Sequence, residues 1–398
     1  MKKKLTTSII ILGLLAFENA YFAPCAYAFK FNFNRKEKKE LKYLEIARTS
    51  FEAKHYDLAL EYYTKAIEIN PENAETFAKR GNTLFLLGNY QKAVIDYSKA
   101  LELDPNRENI YYNRAIAKSN LQIYDEVVED YTKEIEINPD NVNAYLNRGT
   151  TEVFLKEFDK AIEDFTKVIE LDENNELAYY NRGVAKRSSG DYKGAIEDYT
   201  KVINLDEKNV DAYNNRGAAK FYLKDYEGAI KDYDKVIELN NHFQQVYYNR
   251  GIAKLGLKKY EDATLDFTKE LEVNPKNDLA YFERGVAQER LDHFTSAIDD
   301  YTKAIEINSE NAEYFAQRGA LISKTEGDLE KAKADLDKAI SLDSEDSEKY
   351  LTRAIIFCKL KLYLAAIDDL NIVIKLDDKN TQAYDLRSYA IKSMNVNK

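Results

Sequence analysis

Apolar residues return along this chain at helical spacing, in a pattern that itself returns about every 34 residues. In residues 143–175, Tyr145 and Gly149 are four apart and share one helix face. Phe158, Ala161, Ile162, Phe165, Val168 and Ile169 form a second apolar stripe. Two stripes separated by a short polar stretch predict a helical hairpin. Gly149 and Ala161 are small where two helices must approach closely. Pro71, Pro105, Pro139 and Pro275 each stand ahead of a following unit, where a missing N–H costs little. One hairpin cannot cover both of its stripes, so its neighbours must, and an all-α solenoid of tandem hairpins follows.

An arginine marks the period. It stands at Arg80, Arg114, Arg148, Arg182, Arg216, Arg250, Arg284 and Arg318, then at Arg353 after 35 residues and at Arg387 after 34 more. A fixed period of that size predicts an array rather than the two or three domains that length alone suggests. With Tyr145 in the aromatic place, Gly149 and Ala161 in the small places and Phe165 in the Phe place, the chain resembles the tetratricopeptide repeat family. Two departures recur. Arg148 sits where that family has Leu, and Glu152 where it has Tyr, with Lys118, Lys186, Lys220 and Lys254 at the equivalent place elsewhere. The resemblance implies a right-handed α-solenoid superhelix (all-α). Ten repeats are expected at 40–73, 74–107, 108–141, 142–175, 176–209, 210–243, 244–277, 278–311, 312–346 and 347–380, followed by a capping helix and tail over 381–398.

Comparing the repeats with one another explains the arginine. Each of repeats two to ten also carries an aspartate just before the packing residue of its second helix. The pairs are Arg80 with Asp96, Arg114 with Asp130, Arg148 with Asp164, Arg182 with Asp198 and Arg216 with Asp232. Arg250 with Asp266, Arg284 with Asp300, Arg318 with Asp335 and Arg353 with Asp369 complete them. The first repeat lacks both partners, having Ile46 and Tyr62. Joint presence and joint absence predict a partly buried, charge-assisted pair inside each hairpin, in a structural role.

Ahead of the repeats, residues 1–28 have the parts of a secretory leader. These are Lys2, Lys3 and Lys4, an apolar run from Leu5 to Phe17, and Ala26-Tyr27-Ala28 as a small-x-small cleavage site before Phe29. Glu18 and Asn19 argue against retention as a membrane anchor. Export to a periplasm, cell envelope or extracellular space is expected, with a basic aromatic lead-in at 29–39. The net charge is −11; losing three lysines and one glutamate with the leader removes +2 and leaves −13. That balance argues against nucleic acid and anionic membranes as partners. Beyond the leader Cys358 is the sole cysteine, so no internal disulfide can form, and Asn-x-Ser/Thr sites are absent from the sequence.

Chemistry is not expected. His55, His242 and His293 lack metal-ligand spacing, Cys358 sits in an apolar helix, and no phosphate-cradling motif occurs, so no cofactor or metal is implied. Partner binding is better marked. Asn113, Asn147, Asn181, Asn215 and Asn249 immediately precede their arginines, about 200° around the helix from the hairpin-packing aromatic, which predicts a row of amides along one surface. An amide both donates and accepts, as a peptide backbone requires. The row resembles the asparagine ladders of kinesin light chains and O-linked N-acetylglucosamine transferases, which hold extended peptides. Tyr112, Tyr180 and Tyr248 lie beside it in alternate repeats, with Ile116, Val184 and Ile252 one turn on. The carboxylate clamp of chaperone-binding relatives is missing: its places hold Ala78 and Asn82, Tyr112 and Ile116, Leu146 and Thr150. The expected function is a non-catalytic scaffold for a protein or peptide. The alternative is a structural envelope or secretion component that oligomerises. The apolar tenth repeat, with Leu351, Ile355, Ile356, Phe357, Leu360, Leu362 and Leu364, suits either burial under the last helix or a homo-oligomer contact.

Overall fold

A computed structural model describes residues 35–243, 245–325 and 327–396; the leader and most of the lead-in lie outside the described residues. All regular structure among them is α-helical. The chain divides into two compact units between Ala212 and Tyr213.

The described part of the first unit consists of α1 (Arg35–Glu52), α2 (Tyr56–Ile69), α3 (Ala74–Leu86), α4 (Tyr90–Leu103), α5 (Ile110–Asn120), α6 (Tyr124–Ile137), α7 (Val142–Phe154), α8 (Phe158–Leu171), α9 (Glu176–Ser189) and α10 (Tyr192–Leu205). Helix α11 (Val210–Tyr222) spans the division. The second unit continues with α12 (Tyr226–Leu239), α13 (Val246–Gly256), α14 (Tyr260–Val273), α15 (Asp278–Arg290), α16 (Phe294–Ile307), α17 (Ala312–Thr325), α18 (Leu329–Leu342), α19 (Ser347–Lys359), α20 (Tyr363–Leu376) and α21 (Thr381–Val396). Helices α1 to α10 in the first unit and α12 to α21 in the second each pack on the next, so successive pairs form hairpins and each hairpin covers its neighbour. Helix α1 begins at Arg35, which makes the last residues of the basic lead-in part of the first helix.

Local chemistry sets the helix ends. Asn73, Asn141, Asn175 and Asn277 precede first helices, and each side chain accepts a hydrogen bond from a backbone N–H three residues on. The tight turn inside a hairpin requires left-handed backbone. Gly190 supplies it at φ +95°, whereas Lys156 adopts it at φ +65° without a glycine's freedom.

The cores are alanine and aromatic layers. In the first unit Ala161, Phe165 and Val168 are fully buried against Leu146, Ala178 and Ala185. A Cβ added at Gly149 would lie 3.0 Å from the Phe165 ring, which is why the helices can cross so closely there. In the second unit Tyr301, Leu321, Ile322, Leu336 and Ile356 form one layer. Leu351, Phe357, Leu370 and Val373 form the next, with Ala383 and Ala390 of α21. The tenth repeat therefore buries most of its apolar residues, while Leu362 and Leu364 stay exposed. No helix among the described residues is long and apolar enough to cross a membrane.

Candidate partner-binding row

The most regular polar feature is the arginine. In all nine hairpins that carry the pair, Nε donates to one carboxylate oxygen of the aspartate and Nη2 to the other, at 2.5–3.0 Å. The aspartates are buried and the guanidinium stacks near the aromatic ring three residues before it, as Arg148 does on Tyr145 at 5.7 Å.

The third arm of the guanidinium was not foreseen. Nη1 reaches the preceding hairpin: Arg114 donates to Ser98, Arg148 to Thr132, Arg182 to Thr166, Arg284 to Thr268 and Arg318 to Thr302, each at 3.0 Å. Arg250 takes Asp234 at 2.6 Å and Arg353 takes Asp337 at 2.7 Å. One side chain thus ties a hairpin together and ties it to its neighbour. The signal was available, since a hydroxyl or carboxylate stands sixteen residues before each of these arginines. Lys118, Lys186, Lys220 and Lys254 add an ammonium 2.8–2.9 Å from the same aspartates. Glu152 replaces that lysine in the fourth repeat. It is buried, its Oε2 has no partner, and burial followed by the charge of Asp164 pushes its carboxyl up to about 8.

The amide row is placed differently in the two units. In the first, Asn113, Asn147 and Asn181 are 1–2% exposed and lie inside the protein, not along an open surface as the helical angle predicted. Adjacent first helices touch here, α3 with α5 and α7 with α9, which encloses the side chains between them. Asn113 donates to Asn82 Oδ1 at 3.3 Å, and the same oxygen accepts from the Tyr97 hydroxyl at 2.8 Å. Asn147 donates to the Tyr112 hydroxyl at 3.1 Å. Leu146 stands in the register of Tyr112 one repeat later and offers no acceptor, and both amide atoms of Asn181 are unpaired. Tyr112, Ile116, Tyr180 and Val184 are buried as well. These rungs are internal, joining one first helix to the next.

In the second unit the row is half-open. Asn215, Tyr248, Asn249 and Ile252 are all intermediate in exposure, and the Asn249 amide donates a long 3.4 Å bond to Asn214 Oδ1. In the same register at the other end of this unit, Ile355 of α19 and Thr381, Gln382, Asp385, Leu386 and Tyr389 of α21 line a cavity of about 440 Å³. Apolar walls with a few polar groups are what an extended chain segment needs. Cys358 is half-buried, and burial pushes its thiol up, away from nucleophilic character.

Sequence profiles described as tetratricopeptide repeat or TPR repeat match 41–73, 62–95, 81–122, 142–175, 185–223, 210–243, 248–312 and 312–346. With the hairpin geometry above, the chain belongs to the tetratricopeptide repeat family. No curated protein matches it. Among solved structures it is similar to YrrB, a TPR protein described as having an unusual peptide-binding site, with 27% identity over 48% of this chain and 98% of that one and a TM-score of 0.45. It is also similar to a tetratricopeptide repeat protein from Parabacteroides merdae, at 22% identity over 63% and 99% with a TM-score of 0.45. A third is yeast Tom70, at 20% identity over 90% and 89% with a TM-score of 0.40.

Proposed function

We propose that this chain is an exported, non-catalytic scaffold that binds an extended segment of a partner protein along the first helices of its second unit. The observation carrying this reading is the half-open set Tyr248, Asn249 and Ile252, which contrasts with the closed, mutually bonded rungs of the first unit. A backbone segment laid there would meet the Asn249 amide, which can donate and accept, and apolar walls from Tyr248 and Ile252. Four of the five asparagines then divide by role. Asn113 and Asn147 hold first helices together, and Asn215 and Asn249 meet the ligand. Export rests on the leader pattern of residues 1–28.

The test is affinity capture from envelope extract with wild type and with Tyr248→Ala/Asn249→Ala. Loss of one specific partner is expected, with circular dichroism at the capture temperature showing that the variant keeps its helical fold although Tyr248 packs 5.9 Å from Phe267. Equal recovery would refute the site. N-terminal sequencing of the secreted chain should begin at Phe29; recovery of the intact leader in a cytosolic fraction would refute export. A second reading, assembly through copies of the chain, is favoured by Leu362 and Leu364, which are 46% and 65% exposed. Light scattering over a concentration series distinguishes it, since assembly through this patch requires a mass that grows with concentration and falls back in Leu364→Glu.

A further inference from the structure

The row changes chemistry at one rung of the second unit. In the eighth repeat the register that holds Asn249 one repeat earlier is occupied by Glu283 of α15. An amide there can donate and accept; a carboxylate can only accept. Glu283 is intermediate in exposure and, among the described residues, makes no hydrogen bond or ion pair. The arginine beside it is already committed, since Arg284 donates to Asp300 and Thr268. Other enclosed carboxylates of the same unit are answered: Asp266 takes Arg250 and Lys254, Glu270 takes Asn277, and Glu289 takes the Tyr301 hydroxyl.

Aromatic residues neighbour this acid in register and in sequence. Helices α13 and α15 touch, and the first-unit bond from Asn147 to Tyr112 shows which places meet across neighbouring first helices. The same register sets Glu283 against Tyr248. After burial, the charge of Glu283 is the largest cause holding the Tyr248 hydroxyl above its ordinary range. Next to Glu283 in sequence, the Phe282 ring packs 5.5 Å from Tyr301 and 4.9 Å from Tyr314. A half-buried carboxylate without a counter-ion, with Tyr248 opposite it on the neighbouring first helix and Phe282 next to it in sequence, favours a ligand that brings both a positive charge and an apolar stem.

We propose that Glu283, with Tyr248 and Phe282, is a subsite for a lysine or arginine side chain of the segment bound along the second unit. This rests on the partner-binding reading above and adds a specificity to it: Asn249 meets the segment's backbone, and Glu283 selects a basic side chain one repeat further on.

The test is selection of binders from a displayed library of random twelve-residue peptides against the purified protein and against Glu283→Gln, which keeps the shape and one acceptor oxygen while removing the charge. Wild type is expected to select peptides with a basic residue at one fixed place. Replacing that residue by glutamine should weaken binding about ten- to hundred-fold, the range for losing a charge-assisted bond, and the same replacement should have little effect against Glu283→Gln. Circular dichroism melting of the variant at the wild-type temperature shows that the fold is retained. Peptides selected without basic preference, and bound equally by Glu283→Gln, would overturn this subsite and leave the binding row standing. Failure to select any peptide that competes with Tyr248→Ala/Asn249→Ala loss would overturn the row itself, and the subsite with it.

Discussion

The arginine and aspartate decide how a hairpin closes. Each pair is bidentate and its carboxylate is buried, so removing one partner strands a charge, whereas replacing both by apolar groups removes the need for either. Arg284 and Asp300 are the cleanest pair to test because Gln288 replaces the extra lysine there. Arg284→Met should cost about 3–5 kcal/mol in urea denaturation, and adding Asp300→Leu should recover much of it. A single variant as stable as wild type would contradict the pairing energetics. Glu152 gives the opposite case. Its carboxyl is pushed up to about 8 from an ordinary 4.5 by burial and then by Asp164. The folded state therefore holds that proton more tightly than the unfolded chain. The associated stability is complete below pH 4.5 and is lost as pH rises through 8. Glu152→Gln should be more stable than wild type at pH 9 by about 1–3 kcal/mol, the cost of a buried unanswered group, with the gap shrinking towards pH 5. Denaturation curves that stay parallel across that range would refute the assignment. The pairing of arginine with aspartate was legible because both residues vanish together in the first repeat. The acceptors of the third arm keep an equally constant spacing, sixteen residues before the arginine. The burial of Asn113 and Asn147 was not legible from helical angle, because it depends on what the neighbouring repeat offers, Asn82 in one case and Tyr112 in the other.

At the scale of helices, the apolar period was plain in the chain, and side-chain caps from Asn73, Asn141, Asn175 and Asn277 set the starts of four first helices, whereas second helices such as α8 and α16 begin without one. Asn277 shows how a cap also serves packing. Its Oδ1 accepts from the Ala280 N–H at 3.2 Å and its Nδ2 donates to the buried Glu270 at 2.9 Å. Asn277→Ala should therefore cost more than a lost cap alone, about 1–3 kcal/mol, while Asn277→Ser should restore the cap and only part of the loss. Thermal melting of the three proteins measures this, and equal melting temperatures would contradict the double role. The lead-in was harder to read. It was set apart from the repeats as a basic aromatic segment, yet Arg35 to Lys39 form the start of the first helix, since nothing in those residues stops a helix whose later turns are packed. The tenth repeat left two outcomes open in sequence. Packing against α21 settles Leu351 and Phe357 as core and leaves Leu362 and Leu364 outside.

For the molecule as a whole, the described helices belong to hairpins or, in α21, pack on the last one, and the arginine and aspartate side chains of the hairpins are spent on each other. The row on the first helices of the second unit is the part of this register that stays half-open among the described residues. Tyr248, Asn249, Ile252 and Glu283 keep enough exposure to meet a partner, and the wall at Ile355 and Tyr389 repeats their register. The measurement that bears most directly on this account is photo-crosslinking in cells from a reactive residue placed at Asn249, compared with one at Leu265, a second-helix position that is 67% exposed. A discrete adduct from position 249 with none from position 265 is the predicted result. An adduct from position 265 alone, or equal yields from both, would contradict it.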